Sequence, residues 1–151
     1  MLDDVDRRLL RNLQNDPAAP LAELAERSRV TTATATRRLD RLRDQGILKG
    51  VRAVIDWAAL GYSVEVSLRF TLDKTAPRAF EEFLTEARKI PEVLEIQTFL
   101  GRVDVRLSVI ARDMAHYQGL YRERILTLPH IAELEALMHI STIKTNEVLP
   151  V

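Results

Sequence analysis

The chain has 151 residues, 46% of them hydrophobic, with five glycines and six prolines, which is the composition of an ordered globular protein of one large domain or two small ones. No apolar run approaches the ~18 residues of a membrane span, the charged start MLDDVDRR lacks the apolar core of a secretory signal, and the lack of cysteine excludes disulfides and thiolate metal sites and agrees with a reducing cytoplasm. The net charge of zero hides an asymmetry. Residues 27–52 hold eight Lys/Arg against two acids, Asp40 and Asp44, a basic footprint on a neutral chain.

In chain order, a first helix is predicted from Asp3 or Asp4 to Asn15, with Asp3, Asp4 and Asp6 at the positive end of its dipole and Val5, Leu9 and Leu13 recurring every four residues. The run Asp16-Pro17-Ala18-Ala19-Pro20 breaks it. Leu21, Leu24 and Ala25 share one face of a short second helix. Thr31 and Thr32 are suited to cap a third, because a threonine hydroxyl accepts a bond from an unpaired N–H of the first turn. In that helix Ala35, Leu39 and Leu42 form an apolar seam, Thr34, Arg37, Arg38 and Arg41 fall on the other side, and Gly46 ends it.

An Arg-rich helical face is often simply solvated. Here a short preceding helix, a turn and two caps accompany it, and a capped helix presenting arginines and short hydroxyls fits a DNA major groove. Thr31, Thr32, Thr34, Arg37, Arg38 and Arg41 are therefore the candidate DNA contacts, joined by Lys49 and Arg52 on a hairpin or wing around Gly50. The expected division is a helix-turn-helix domain over 1–50, an extended linker over 51–62 and a second domain over 63–151.

Beyond the linker the periodicity switches. Val64, Val66, Leu68, Phe70 and Leu72 alternate with polar residues, which is a strand with one buried face. Phe80, Phe83, Leu84 and Ala87 follow at helical spacing. VLEIQTFL and VRLSVIA are two strands joined by the turn Gly101-Arg102-Val103-Asp104, and Asp113 caps a helix carrying Met114, Tyr117, Leu120, Tyr121 and Ile125. A fourth strand runs from Ile131 to about Ile140, and the tail STIKTNEVLPV is strand-like in composition. The class is α+β: a winged helix-turn-helix followed by a βαββαβ ferredoxin-like sandwich. A faint repeat supports two equal halves, with Ile90–Ile96 matching Leu128–Leu134 at an offset of 38 residues. Two helices cover only one face of the sheet. Val93 and Phe99 fall in one parity and Leu94, Ile96 and Leu100 in the other, so an uncovered apolar face and a twofold-related identical partner are expected.

Other chemistry finds no support. His116, His130 and His139 are scattered without ligand spacing, no serine sits in a nucleophile elbow, and five glycines build no phosphate loop, so neither a metal, a cofactor nor catalysis is expected.

The whole arrangement resembles the Lrp/AsnC (feast/famine) transcriptional regulators. The likeness is carried by LDDVDRRLLRNLQND, RLDRLRDQGIL, TLDKTAPRAFEEF, the Gly-x-x-Asp turn GRVD, RDMAHYQGLY and the tail KTNEVLPV. It implies dimers joined through the C-terminal sheets, often assembled into octamers, and small effectors, usually amino acids, bound between dimers. On this chain that site would comprise Thr98, Gly101, Arg102, Val103, Asp104, Met114, Leu137, Met138 and His139. Asp104 matches the family motif best, and amides around Gly101 with a carboxylate opposite would clamp the two charged ends of an amino acid. Three positions depart from the family pattern. An Arg-Val pair, Arg102-Val103, follows Gly101 where an acid and an aromatic are common, Pro20 replaces a capping Ser or Asn, and Arg29 stands where glycine is usual. A left-handed backbone at Arg29 would cost about 1 kcal/mol or more, so a rearranged turn is expected there.

The function implied is a sequence-specific, effector-modulated DNA-binding regulator of the cytoplasm and nucleoid, not an enzyme. The alternative is an architectural DNA-organising protein of the same fold without an effector.

Overall fold

The computed structural model describes residues 1–145 and 148–151, which form two compact units: Met1–Val54 with Ile143–Val151, and Ile55–Thr142. Residues 51–62 hold no helix or strand, and the last residues group with the helix-turn-helix.

The first unit holds α1 (Asp4–Asn15), α2 (Leu21–Arg27) and α3 (Thr32–Asp44). Leu9, Leu24, Ala25, Ala35, Leu39 and Leu42 make its core, and Leu2, Val5, Leu13 and Leu48 pack around it. The start of α1 is a capping box built from two aspartates. Asp3 Oδ1 accepts the Asp6 amide at 2.9 Å and Asp6 Oδ2 accepts the Asp3 amide at 3.1 Å. Pro20 precedes α2 with no side-chain cap bond, its fixed φ serving instead.

Both helices of the helix-turn-helix end in the same motif. After α2 the Val30 amide donates to Ala25 and the Arg29 amide to Glu26; after α3 the Ile47 amide donates to Leu42 and the Gly46 amide to Arg43. Such an ending requires a left-handed residue, and the φ angles are +57° at Arg29 and +68° at Gly46. The turn at Arg29 is thus not rearranged. It keeps the glycine geometry with an arginine in place, because the packing of the partly buried Val30 and two backbone bonds over-determine it. Ser28, fully buried, ties this turn to α1 through Asn12 (3.0 Å) and Arg8 (3.1 Å).

The wing expected around Lys49, Gly50 and Arg52 does not form, and no described residue before Val64 belongs to a strand. The tail forms no strand among its described residues either, and Asn146 and Glu147 lie outside them. Instead, Gln14 of α1 grips Leu149 both ways, donating to its carbonyl at 3.4 Å and accepting its amide at 2.6 Å, while Arg11 donates to the Val151 carbonyl at 2.9 Å.

The second unit is β1 (Val64–Leu72), α4 (Ala79–Ala87), β2 (Val93–Thr98), β3 (Val105–Ala111), α5 (Met114–Leu120, running on as a π-helical turn to Ile125) and β4 (Ile131–Met138). Its antiparallel sheet has the order β2-β3-β1-β4. The even-numbered residues of β1 and Val105, Leu107 and Val109 of β3 pack on Phe83, Tyr117, Leu120 and Ile125, with Phe70 and Phe83 edge to face at 4.8 Å.

The opposite face is mixed, with Ile110 and Leu137 in register among polar residues, rather than the apolar surface that strand parity suggested. Glu65, Ser67, Arg69 and Thr71 of β1, Arg106 and Ser108 of β3, Gln97 of β2 and Glu133 and Glu135 of β4 occupy it in register. Arg106 spans it, donating to Ser67 and Gln97 at 2.8 Å each. The reason is a register shift between Val93 and Glu95 that lets both Val93 and Ile96 face the core. A second shift lies between Ile131 and Glu133. The residues spanned, Leu94 and Ala132, are 38 positions apart, so the sequence repeat extends to its bulges.

Candidate nucleic-acid interface and effector site

In the first unit the cap, the seam and the charge pairing together decide which side chains of α3 face outward. Thr31 caps the helix: its hydroxyl accepts the Thr34 amide at 3.2 Å and donates to the Thr34 hydroxyl at 3.0 Å. Thr36 bonds back to the Thr32 carbonyl. The exposed Thr32 hydroxyl has no partner among the described residues.

The arginines divide. Arg38 and Arg41 reach across to α1, where Asp6 is completely buried. Asp6 accepts from Arg41 at 2.5 Å and from Arg38 at 3.3 Å, and Arg38 also pairs with Asp3. Only 22% of the Arg38 side chain is exposed. The Asp6 amide, then Arg38, hold the Asp3 carboxyl down to about 2. These two guanidinia brace α3 against α1. Arg27 pairs with Asp16 and Glu23, and Arg43 with Asp40. Of the eight cations counted in 27–52, Arg29, Arg37, Lys49 and Arg52 have no acidic partner among the described residues, and all four are exposed. Arg29 is absent from the sequence-based candidates, although it belonged to the basic segment; its left-handed φ is visible only in the folded turn.

In the second unit Asp104 ends the turn after β2 and is 5% exposed. Its amide donates to the Phe70 carbonyl at 2.8 Å and its carbonyl accepts the Phe99 amide at 2.9 Å. Oδ2 accepts the Leu72 amide at 2.8 Å, and Oδ1 pairs with Lys74 Nζ at 2.8 Å. Burial pushes this carboxyl up, but Lys74 and the Leu72 amide outweigh it and hold it below the usual carboxylate range. Thr71 donates to the Arg102 carbonyl at 2.7 Å, and the Arg102 guanidinium pairs with Glu133 at 3.5 Å in the open.

A cavity of about 350 Å³ lies beside this turn. Thr98, Gly101 and Asp104 line it, with Phe80, Phe99, Leu100 and Lys74, which sequence reasoning did not place there. Arg102 and Val103 of the same turn line a second cavity of about 590 Å³ with Thr71 and Glu133, and the other expected site residues lie elsewhere in the same chain. Val105 pairs with Phe70, whereas Leu137 and Met138 pair with Ser67 and Val66, and the His139 amide donates to Glu65. At about 3.3 Å per strand residue, His139 sits some ~17 Å along β1 from the turn. Met114 lies past Ala111, which pairs with Val64, at the far end of the sheet.

A helix-turn-helix joined to a ligand-binding α+β unit defines a DNA-binding regulator that responds to a small molecule. The Lrp/AsnC ligand binding domain model matches residues 65–149 and a winged helix-turn-helix DNA-binding model matches residues 2–49. The chain belongs to the Lrp/AsnC family of transcriptional regulators. It is 33% identical to the DNA-binding transcriptional activator DecR of Escherichia coli K12, over 100% of this chain and 99% of that protein. It is 30% identical to the leucine-responsive regulatory protein of the same organism, over 96% and 88%. Among solved structures it is similar to a transcriptional regulator of Neisseria meningitidis in complex with L-Met (TM-score 0.90, 25% identity, covering 99% and 97% of the two chains). The feast or famine regulatory protein of M. tuberculosis complexed with L-methionine is likewise similar (TM-score 0.86, 25% identity, 99% of each chain).

Proposed function

We propose that the chain reads DNA with the N-terminal half of α3 and the turn before it, and that an amino acid bound at the Gly101–Asp104 turn modulates that reading. The carrying observation is the division of the arginines: Arg29 and Arg37 stand uncommitted beside Thr32, while Arg38 and Arg41 are spent on Asp3 and Asp6. Arg37 and Arg29 contact phosphates or guanine edges, Thr32 and the N-terminal turn with Thr31 and Thr34 approach the backbone, and Lys49 and Arg52 add phosphate contacts.

The protein acts as a dimer or larger assembly at the nucleoid, so that two recognition helices meet a palindromic site. The L-methionine complexes of two relatives support the effector class. The split of the expected site residues between opposite ends of the sheet supports a site completed by another copy, with the turn of one chain facing Met114, Leu137, Met138 or His139 of the next. Effector binding then shifts a population of assemblies.

The test is selection of bound fragments from genomic DNA with and without amino acids, followed by calorimetric titration. A shared sequence motif and one or more binding amino acids are expected. Bound fragments without a motif, together with silence across the amino-acid panel, would favour the architectural alternative.

A further inference from the structure

Both carboxylate oxygens of Asp104 are engaged by its own chain. Its two carboxylate oxygens accept from the Leu72 amide and from Lys74, both at 2.8 Å, and 5% of the residue is exposed. Each oxygen keeps a second lone pair, but only 7% of the side chain is exposed to offer it. Lys74 is the reverse: 65% of its side chain is exposed, and an ammonium has three donors of which Asp104 takes one. Among the described residues the amides of Leu100, Gly101, Arg102 and Val103 donate to no acceptor in the chain. Of these donors, Lys74 and the amides of Leu100 and Gly101 lie in the cavity lining, and Phe80, Phe99 and Leu100 make much of its wall apolar.

We propose that Lys74, positioned by Asp104, is the charged group that meets the effector, and that what it meets is the carboxylate of an acid with an apolar tail. This rests on the reading that the cavity takes the effector. Asp104 is then a positioning residue, holding the ammonium at the rim while two donors point outward. The amino group of an amino-acid effector is not read by this chain's half of the site.

The experiment is calorimetric titration of the full chain with a panel of proteinogenic amino acids. The tightest binder is then compared with its deamino acid and its decarboxylated amine, and the titrations are repeated with Lys74→Met, Lys74→Arg and Asp104→Asn. The deamino acid is expected to bind within about tenfold of the amino acid, and the amine to fail. Lys74→Met should weaken the acid by about tenfold or more, Lys74→Arg should restore part of that, and Asp104→Asn should lower the melting temperature more than it lowers affinity. Lys74→Met leaves the buried Asp104 carboxylate without its ion-pair partner and is expected to melt below the parent, so Asp104→Asn, which loses the same pair but keeps the lysine, separates lost binding from lost folding. Unchanged affinity in Lys74→Met, or binding of the amine alone, overturns the proposal while leaving the effector reading intact. Silence of the unsubstituted chain toward the whole panel overturns both.

Discussion

Two aspartates are buried in this protein, Asp6 in the helix-turn-helix and Asp104 in the sandwich, and their surroundings differ in a way that sorts the functional charges. Asp6 is completely enclosed and saturated by two guanidinia and an amide. Asp104 has one amide and one lysine, and that lysine stands mostly in solvent. A cation that compensates a sealed carboxylate belongs to the fold. One that touches a buried carboxylate with one donor and faces water with the others remains free to bind something else. On the proposed reading the comparison sets Arg38 with the fold, leaves Arg41, which meets Asp6 through one nitrogen with 41% of its side chain exposed, between the two cases, and brings Lys74 to the rim of the effector cavity.

The largest effect should come from breaking the sealed end. Asp6→Ala removes the capping box and leaves Arg38 and Arg41 without their shared acid, so about 3 kcal/mol should be lost, read by chemical denaturation. Asp104→Asn keeps an acceptor for Leu72 but loses the charge opposite Lys74. With that lysine largely hydrated, a loss of about 1 kcal/mol is expected. Next come the paired helix endings. Gly46→Ala should cost about 1 kcal/mol, whereas Arg29→Gly should gain up to about 1 kcal/mol and weaken DNA binding at the same time, since it relieves a left-handed arginine and removes a cation. Deleting Val148–Val151 should cost about 1 kcal/mol through the Gln14 and Arg11 bonds, seen as earlier melting of the helix-turn-helix.

The smallest effect is acid titration of the cap. Asp3 ionises at about 2 in the folded chain against an ordinary 3.8, so its contribution is complete above 3.8 and is lost as pH falls through about 2. Circular dichroism in that window should show α1 fraying, and Asp3→Asn should remove the pH dependence.

Much of this was legible in the residues. The seam Ala35, Leu39, Leu42, the caps Thr31 and Asp113, and the alternation of β1 each express a local rule, and the structure follows them. What stayed hidden depends on contacts distant in the chain. Helical spacing puts Arg38 and Arg41 off the seam but cannot say that α1 delivers two carboxylates to that flank, 32 to 35 residues away. Strand parity misread the open face because a bulge shifts the register at Val93–Glu95. Lys74 pairs with a residue thirty positions on, across strands that must first align. The departure at Arg29 was visible; that the turn tolerates it follows from Val30 and two backbone bonds.

The central claim is that α3 divides into a reading half and a braced flank, and salt dependence of DNA binding tests it most directly. Each phosphate contact contributes about 0.9 to the slope of log affinity against log salt. Arg37→Ala should flatten that slope by about 0.9 per bound copy with the melting temperature unchanged. Arg38→Ala should leave the slope alone and lower the melting temperature. A flattened slope in Arg38→Ala alongside an unaltered one in Arg37→Ala would contradict the account.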